Sequence, residues 1–460
     1  MVALQPAWNR YVLPAEPRLN QTDSVQSLKL FSSSVVNTYE FVNPSPRRHH
    51  QRTSWNHWQL RDVVLCPSQR PELYSIYRCN VDKYDIQKQQ STRILGDLDF
   101  DPVSLAVGGD FVVVGGQRAE LAVARLSDPC APTVVRSGGS INNFVALDQS
   151  QSAMPQRRFR DSAAFIEDGV TNLNIMNNSS SMPRLMACNN DHTVRLMSLP
   201  DLRLVTELKF PTAVNYGKFL ILRATVACFW REANVHINLY MRHSNTCICN
   251  SFFCSVAAIS PDGTKMCVVG DSNDVFLFSK RGDDFEKIAT LTASNDSSFS
   301  CDWNQSSQLF AVGSQDGYAT VWDIRTQQKM VQLETFQHGR SRGACRNVKF
   351  SPSGSIDLLA FSEHTSYVNV VDTRSFEKRQ ILCASSTGNN ALLGGGALNN
   401  AVQAAFSMAD SPSLMSPDLQ ITGLRFASDS SALFVGLEES ILEYSVDKIG
   451  RYSFSTSATI

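Results

Sequence analysis

Apolar and polar positions alternate with a period of two over short stretches of this chain, and turn-forming residues interrupt the stretches at regular intervals. That is the pattern of many short antiparallel strands. The clearest unit runs from Ser300 to Arg325. Phe310-Ala311-Val312-Gly313 is an apolar run ending on a small residue, Ser314-Gln315-Asp316-Gly317 is a turn, and Tyr318 to Ile324 alternates as it closes on Trp322-Asp323. Asp316-Gly317 supplies the positive φ that a tight hairpin needs, so the unit predicts strand, hairpin turn, strand.

The unit returns in altered form. Arg184 to Cys188, the turn Asn189-Asn190-Asp191-His192, and Thr193 to Met197 repeat it, with Asp191 where Asp316 stands. Ala257 to Ser260, the turn Pro261-Asp262-Gly263, Met266 to Gly270, and Val275 to Phe278 repeat it again. Gly270 and Gly313, the small residues that end the second strands, are 43 positions apart. Units begin near 60, 102, 141, 184, 256, 299, 346 and 421, and those near 141 and 184 read as two halves of one, which leaves seven. A four-stranded sheet cannot bury both faces alone, whereas a ring lets each sheet pack on two neighbours. The pattern therefore predicts an all-β chain, a seven-bladed β-propeller over residues 60–446. A strand from one terminus must shut the ring, with Ser34–Tyr39 and Arg451–Ser455 as the candidates.

Four segments stand outside the repeat. Residues 1–59, rich in Pro, Ser, Asn and Gln, read as a partly disordered N-terminal extension. Its basic run Arg47-Arg48-His49-His50-Gln51-Arg52 precedes Trp55, His57 and Trp58. It reads as a solvated lead-in whose tryptophans fold onto the first blade, or else as a docking or nucleic-acid patch. Residues 384–418 are a low-complexity loop with Ser-Pro pairs at 411 and 416, and 447–460 form a tail. Residues 217–255 fit no blade. Tyr216 to Phe219 is encodable with a splice donor and Phe252 to Ser255 with an acceptor. Excising Gly217–Ser255 restores the 43-residue spacing between Cys188 and Gly270. A translated intron is one account and a genuine insertion the other. His243, Cys247, Cys249 and Cys254 lie there, but their spacing matches no familiar zinc ligand set.

Composition narrows the classes. Lys+Arg is 42 and Asp+Glu is 43, for a net charge of −1, which disfavours a dedicated nucleic-acid or anionic-membrane binder. No apolar run approaches the ~20 residues of a membrane span, and the N-terminus lacks the apolar core of a secretory signal. The 12 cysteines, mostly single and within β-like runs, read as small buried hydrophobes of a reducing compartment. The expected location is cytoplasmic or nuclear.

With these residues in view, the chain resembles the WD40-repeat proteins over about residues 60–446. Gly270, Gly313, Asp191, Asp316, Gly317, Trp322 and Asp323 stand at blade-signature positions, and their expected role is structural. The run Arg346–Leu382, with Ser260–Gly263, resembles a fungal group of WD-repeat proteins that includes a substrate receptor of the GID (glucose-induced degradation) ubiquitin ligase. The resemblance implies a non-enzymatic adaptor that captures protein partners, with ubiquitin-ligase subunits and peptide degrons as the expected class. The chain departs from the family in lacking Gly-His pairs and in keeping one intact Trp-Asp.

The glycine pairs near Gly108 and Gly115 separate strands and open no helix, so they form no dinucleotide loop. No catalytic elbow, zinc helix or Walker loop is present. Ser314-Gln315-Asp316-Gly317 approaches a propeller-glycosidase box but is out of register with it. The reading is therefore not an enzyme, with no cofactor and no metal. A propeller-type hydrolase or lyase and a scaffold for RNA or ribosome assembly are the alternatives. If the ring binds a partner, the turns between second and third strands offer His192, Asp274, Gln315, His364 and Glu438 on one face.

Overall fold

Runs of five to seven alternating residues, each stopped by a turn, pair with their neighbours before they can pair with anything distant. The meander that results is repeated around an axis. The structure, a computed structural model, describes residues 41–57, 61–67, 71–129, 132–147, 183–209, 216–218, 256–262, 264–281, 284–335, 337–338, 341–353, 356–384 and 419–449. These residues form a seven-bladed β-propeller with almost no helix. Among them no helix is long and apolar enough to cross a membrane. Residues 219–255, with the four residues weighed as zinc ligands, and the loop 385–418 lie outside the described residues, as do Ser34–Tyr39 and Arg451–Ser455.

The inner strands are Val64–Leu65, Pro102–Gly108, Asn142–Leu147, Val256–Ile259, Ser298–Trp303, Asn347–Phe350 and Ile421–Phe426, close to the starts expected from the repeat. The units near 141 and 184 are one blade, because Asn142–Leu147 pairs antiparallel with Arg184–Asn189. The fourth blade has a fifth strand. Tyr216–Lys218 runs parallel to Val256–Ile259 on its inner edge.

Burial explains why some middle strands are apolar throughout. Phe111–Gly116 and Ala432–Leu437 are buried at every position, since a blade on each side covers both faces. Outer strands such as Gln328–Glu334 return to alternation because one side meets water. Among the described residues five apolar clusters fill wedges between blades. In the fifth blade Trp322 stacks on Phe310 at 4.9 Å with the planes 7° apart, and Trp303 leans on the same ring at 5.0 Å. The Trp-Asp signature is thus a core anchor followed by a turn cap. Asp323 Oδ1 accepts the Arg325 backbone N–H at 2.8 Å, and Asp372 of the sixth blade caps Arg374 in the same way at 3.0 Å.

The small residue that ends the second strand has a physical cause. A Cβ on Gly313 would lie 2.9 Å from Cys345 Sγ, at the lead-in to the next blade. On Gly436 it would lie 2.7 Å from Val64, again on the next blade. Blades are wedge-shaped, and at the narrow end the backbone of one meets the entry of the next.

Closure corrects the sequence reading. The strand that shuts the ring is Arg47–His49, from the basic run read as a lead-in or patch. It pairs antiparallel along the outer edge of Ser440–Ser445, with Arg47 opposite Glu443 and His49 opposite Ile441. Phe41 and Val42 are buried beside it, and the Gln380 side chain accepts both their N–H groups, at 2.7 and 3.0 Å, while donating to Val42 O at 2.9 Å. His49, 1% exposed, donates from Nε2 to Glu443 Oε2 at 2.7 Å. In the neutral ring its Nδ1 then accepts from the Tyr84 hydroxyl of the first blade at 3.3 Å. A boundary at residue 60 therefore falls inside the stitching of the ring. A three-residue strand with two arginines carries no apolar alternation, so its role is set by the edge it meets.

Candidate functional site

Each blade repeats the same meander, so the turns between second and third strands share one face with the segments that lead into the inner strands. The signature aspartates hold these two features together. Asp316 Oδ2 accepts the Asn295 N–H at 2.9 Å, and Asp191 Oδ2 accepts the Gly139 N–H at 2.7 Å. Each donor lies three residues before its inner strand. Gly317 takes φ +84°, and His192 stands in its place with φ +72°, an uncommon angle for a side chain with a Cβ. His192 is exposed, and its turn is set by backbone geometry.

The five candidate residues divide. His192 stands in a turn of the third blade, whereas Asp274, expected in a turn, lies within the strand Ser272–Arg281 of the fourth, opposite Thr292, because the turn there closes already at Asp271; its N–H bonds to Ser272 Oγ at 3.2 Å. Gln315 lies beside Ser314, whose carbonyl accepts the Cys345 N–H at 3.0 Å. His364 and Glu438 meet a group that the repeat pattern did not single out.

That group is built on two equivalent lead-ins. Arg61-Asp62-Val63 enters the first blade and Arg346-Asn347-Val348 enters the sixth. They meet across the inner strand of the seventh. Asn347 Nδ2 donates to Arg61 O at 2.7 Å, and Lys349 pairs with Asp62 at 2.8 Å, both side chains nearly buried. The two guanidiniums lie at the mouth of the central channel, each over an aromatic ring. Arg61 is 4.0 Å from the centre of Trp55, and Arg346 is 4.4 Å from that of Phe299. Arg61 donates to Gln420 Oε1 at 2.9 Å, and Arg346 Nε to His364 Nδ1 at 3.4 Å. The bridge between Thr365 and Gln420 sets those two partners side by side. Trp55 donates its indole N–H to Glu438 Oε1 at 3.1 Å.

Electrostatics follow from this crowding. Burial, then the Arg346 charge, pulls Arg61 down to about 10, while Glu438 opposes the shift. Burial pulls Arg346 down to about 10 as well. His57 is lowered by burial first and then by Arg346 and Arg61. Such a mouth favours anions. Among the described residues no cluster of His, Cys, Asp and Glu could hold a metal ion. Cysteines 66, 79, 188, 267, 301, 345 and 383 are free thiols. The signal for the mouth was in the sequence as the matched Arg-Asp-Val and Arg-Asn-Val, but their meeting depends on ring closure.

The fold and mouth define a seven-bladed β-propeller with a basic, aromatic-lined channel entrance. Residues 343–383 match a family described as an uncharacterised protein domain, DUF2415, and this stretch contains Arg346 and His364. Over 419 residues the chain is 24% identical to the uncharacterized protein C4G3.03 of Schizosaccharomyces pombe, covering 90% of this chain and 94% of that protein. It is 26% identical over 160 residues to the uncharacterized protein YLR149C of Saccharomyces cerevisiae, covering 27% of this chain and 22% of that protein.

Proposed function

We propose that this chain is a non-catalytic interaction scaffold of WD40 type that holds peptide segments of partner proteins at the channel mouth, and that it acts as a substrate receptor for a GID-type ubiquitin ligase in the cytoplasm or nucleus. The observation that carries the scaffold reading is the convergence of Arg61, Arg346, His57, His364 and Glu438 at one entrance of a rigid ring. Guanidiniums over aromatic rings are typical of recognition surfaces. The ligase role is supported by the resemblance of Arg346–Leu382 to the receptor group. The alternative of RNA or ribosome assembly rested on the basic run, and Arg47–His49 is engaged in ring closure. Affinity purification of the tagged full-length chain with mass spectrometry tests the proposal. Ligase subunits should co-purify, and their consistent absence would remove the receptor role.

A further inference from the structure

Among the described residues six blades have four strands and the fourth has five. The fifth strand arises because the chain starts the inner strand of this blade twice. Tyr216–Lys218 runs parallel to Val256–Ile259, with Tyr216 in register with Val256. The second start leaves the ladder incomplete. In the second, fifth and seventh blades a glycine near the end of the second strand faces an inner-strand residue: Gly115 faces Ser104, Gly313 faces Ser300 and Gly436 faces Gly423. In the fourth blade the inner strand pairs only as far as Ala257, opposite Val268. Continued in step, Val256 would face Val269, and Gly270 would face the residue before Val256. That is where the 39 residues Gly217–Ser255 intervene. With Tyr216 joined to Val256, Tyr216 takes the place opposite Gly270 and the two starts become one strand. Insertions are tolerated at exposed loop tips, whereas this one interrupts a ladder.

The sequence agrees. Residues 218–255 contain no Gly, Pro or Asp, the residues that punctuate the blades on either side, yet hold four of the 12 cysteines. The genetic code permits a donor GTAAGT starting inside the Gly217 codon. It also permits a pyrimidine run over Phe252–Ser255 ending in CAG on the first base of the Val256 codon. Splicing between these removes 39 codons and leaves Tyr216 followed by valine, in frame.

We infer that the working protein joins Tyr216 directly to Val256, that residues 217–255 are translated only from message that keeps an intron, and that the fourth blade is a four-stranded sheet like the other six. The inference is independent of what the ring binds. The first test reads the protein made in its own cells. After tryptic digestion, mass spectrometry against synthetic standards should find one peptide from Phe210 to Lys265 in which Val256 follows Tyr216, in excess over the peptide Phe210–Lys218. An excess of Phe210–Lys218, which forms only when Gly217 follows Tyr216, overturns the inference. The second test compares the recombinant full-length chain with a variant lacking 217–255. The variant should melt about 2 °C higher or more, because it no longer pays the entropy of closing a long excursion from one strand. A variant that melts no higher, or that fails to fold where the full-length chain folds, would make the segment part of the blade and overturn the inference.

Discussion

The fifth and seventh blades are the same sheet made in two ways. The fifth is one continuous stretch, from Ser298–Trp303 to Gln328–Glu334, and is held by the Trp322–Phe310 stack. The seventh takes three strands from the C-terminal part of the chain and its outermost from Arg47–His49. Its junction depends on directed polar contacts: the Gln380 amide on Phe41 and Val42, and His49 between Glu443 and Tyr84. Apolar packing tolerates any strand of the right shape. A closing strand brought from almost the whole chain away needs its register specified, and hydrogen bonds supply that.

The largest effect expected comes from deleting residues 1–49. The seventh blade would lose its outer strand and leave Ser440–Ser445 as an open edge. Loss of cooperative unfolding and association in size-exclusion chromatography are expected, and an unchanged monomer would show that closure is dispensable. Next, Phe310→Ala empties the centre of the fifth blade and should cost about 3–5 kcal/mol in denaturant unfolding. Gln380→Ala leaves the Phe41 and Val42 N–H groups buried without that acceptor, which should cost about 1–3 kcal/mol. If it costs as much as Phe310→Ala, the seam is as strong as a blade core.

A pH titration distinguishes the two blades further. The His49 hydrogen bond, against the opposing effect of burial, holds Glu443 below its ordinary value of 4.5. A depressed carboxyl contributes stability that is present above that value and lost as pH falls through the folded value. Melting in acid should therefore be less steep for Glu443→Gln than for the wild type, and equal slopes would exclude this pair as an acid-sensitive part of the seam. The smallest effect concerns the turns. His192→Gly relieves a positive φ and should leave stability unchanged or raise it by up to about 1 kcal/mol, while Gly317→Ala should lower it by about 1 kcal/mol or more.

The comparison also shows what was legible in the chain. Asp316 and Asp191 do the same work in different blades, and sequence spacing alone had paired them. Gly313 was visible as a small residue at a fixed position, but the reason, Cys345 of the next blade, was not. His364 and Glu438 were picked as loop tips without the arginines that give them a shared setting. Arg61 and Arg346 looked like ordinary polar residues ahead of strands, because nothing local distinguishes a charge facing water from one facing a neighbour's charge.

Turn chemistry and two-residue alternation act between near neighbours, so the amino-acid order by itself determined the strands, their hairpins and the number of blades. Which segment shuts the ring and which side chains meet at the channel mouth depend on residues hundreds of positions apart. Only the packed ring brings those together, since a three-residue strand and a lone arginine acquire their partners from the surface they land on.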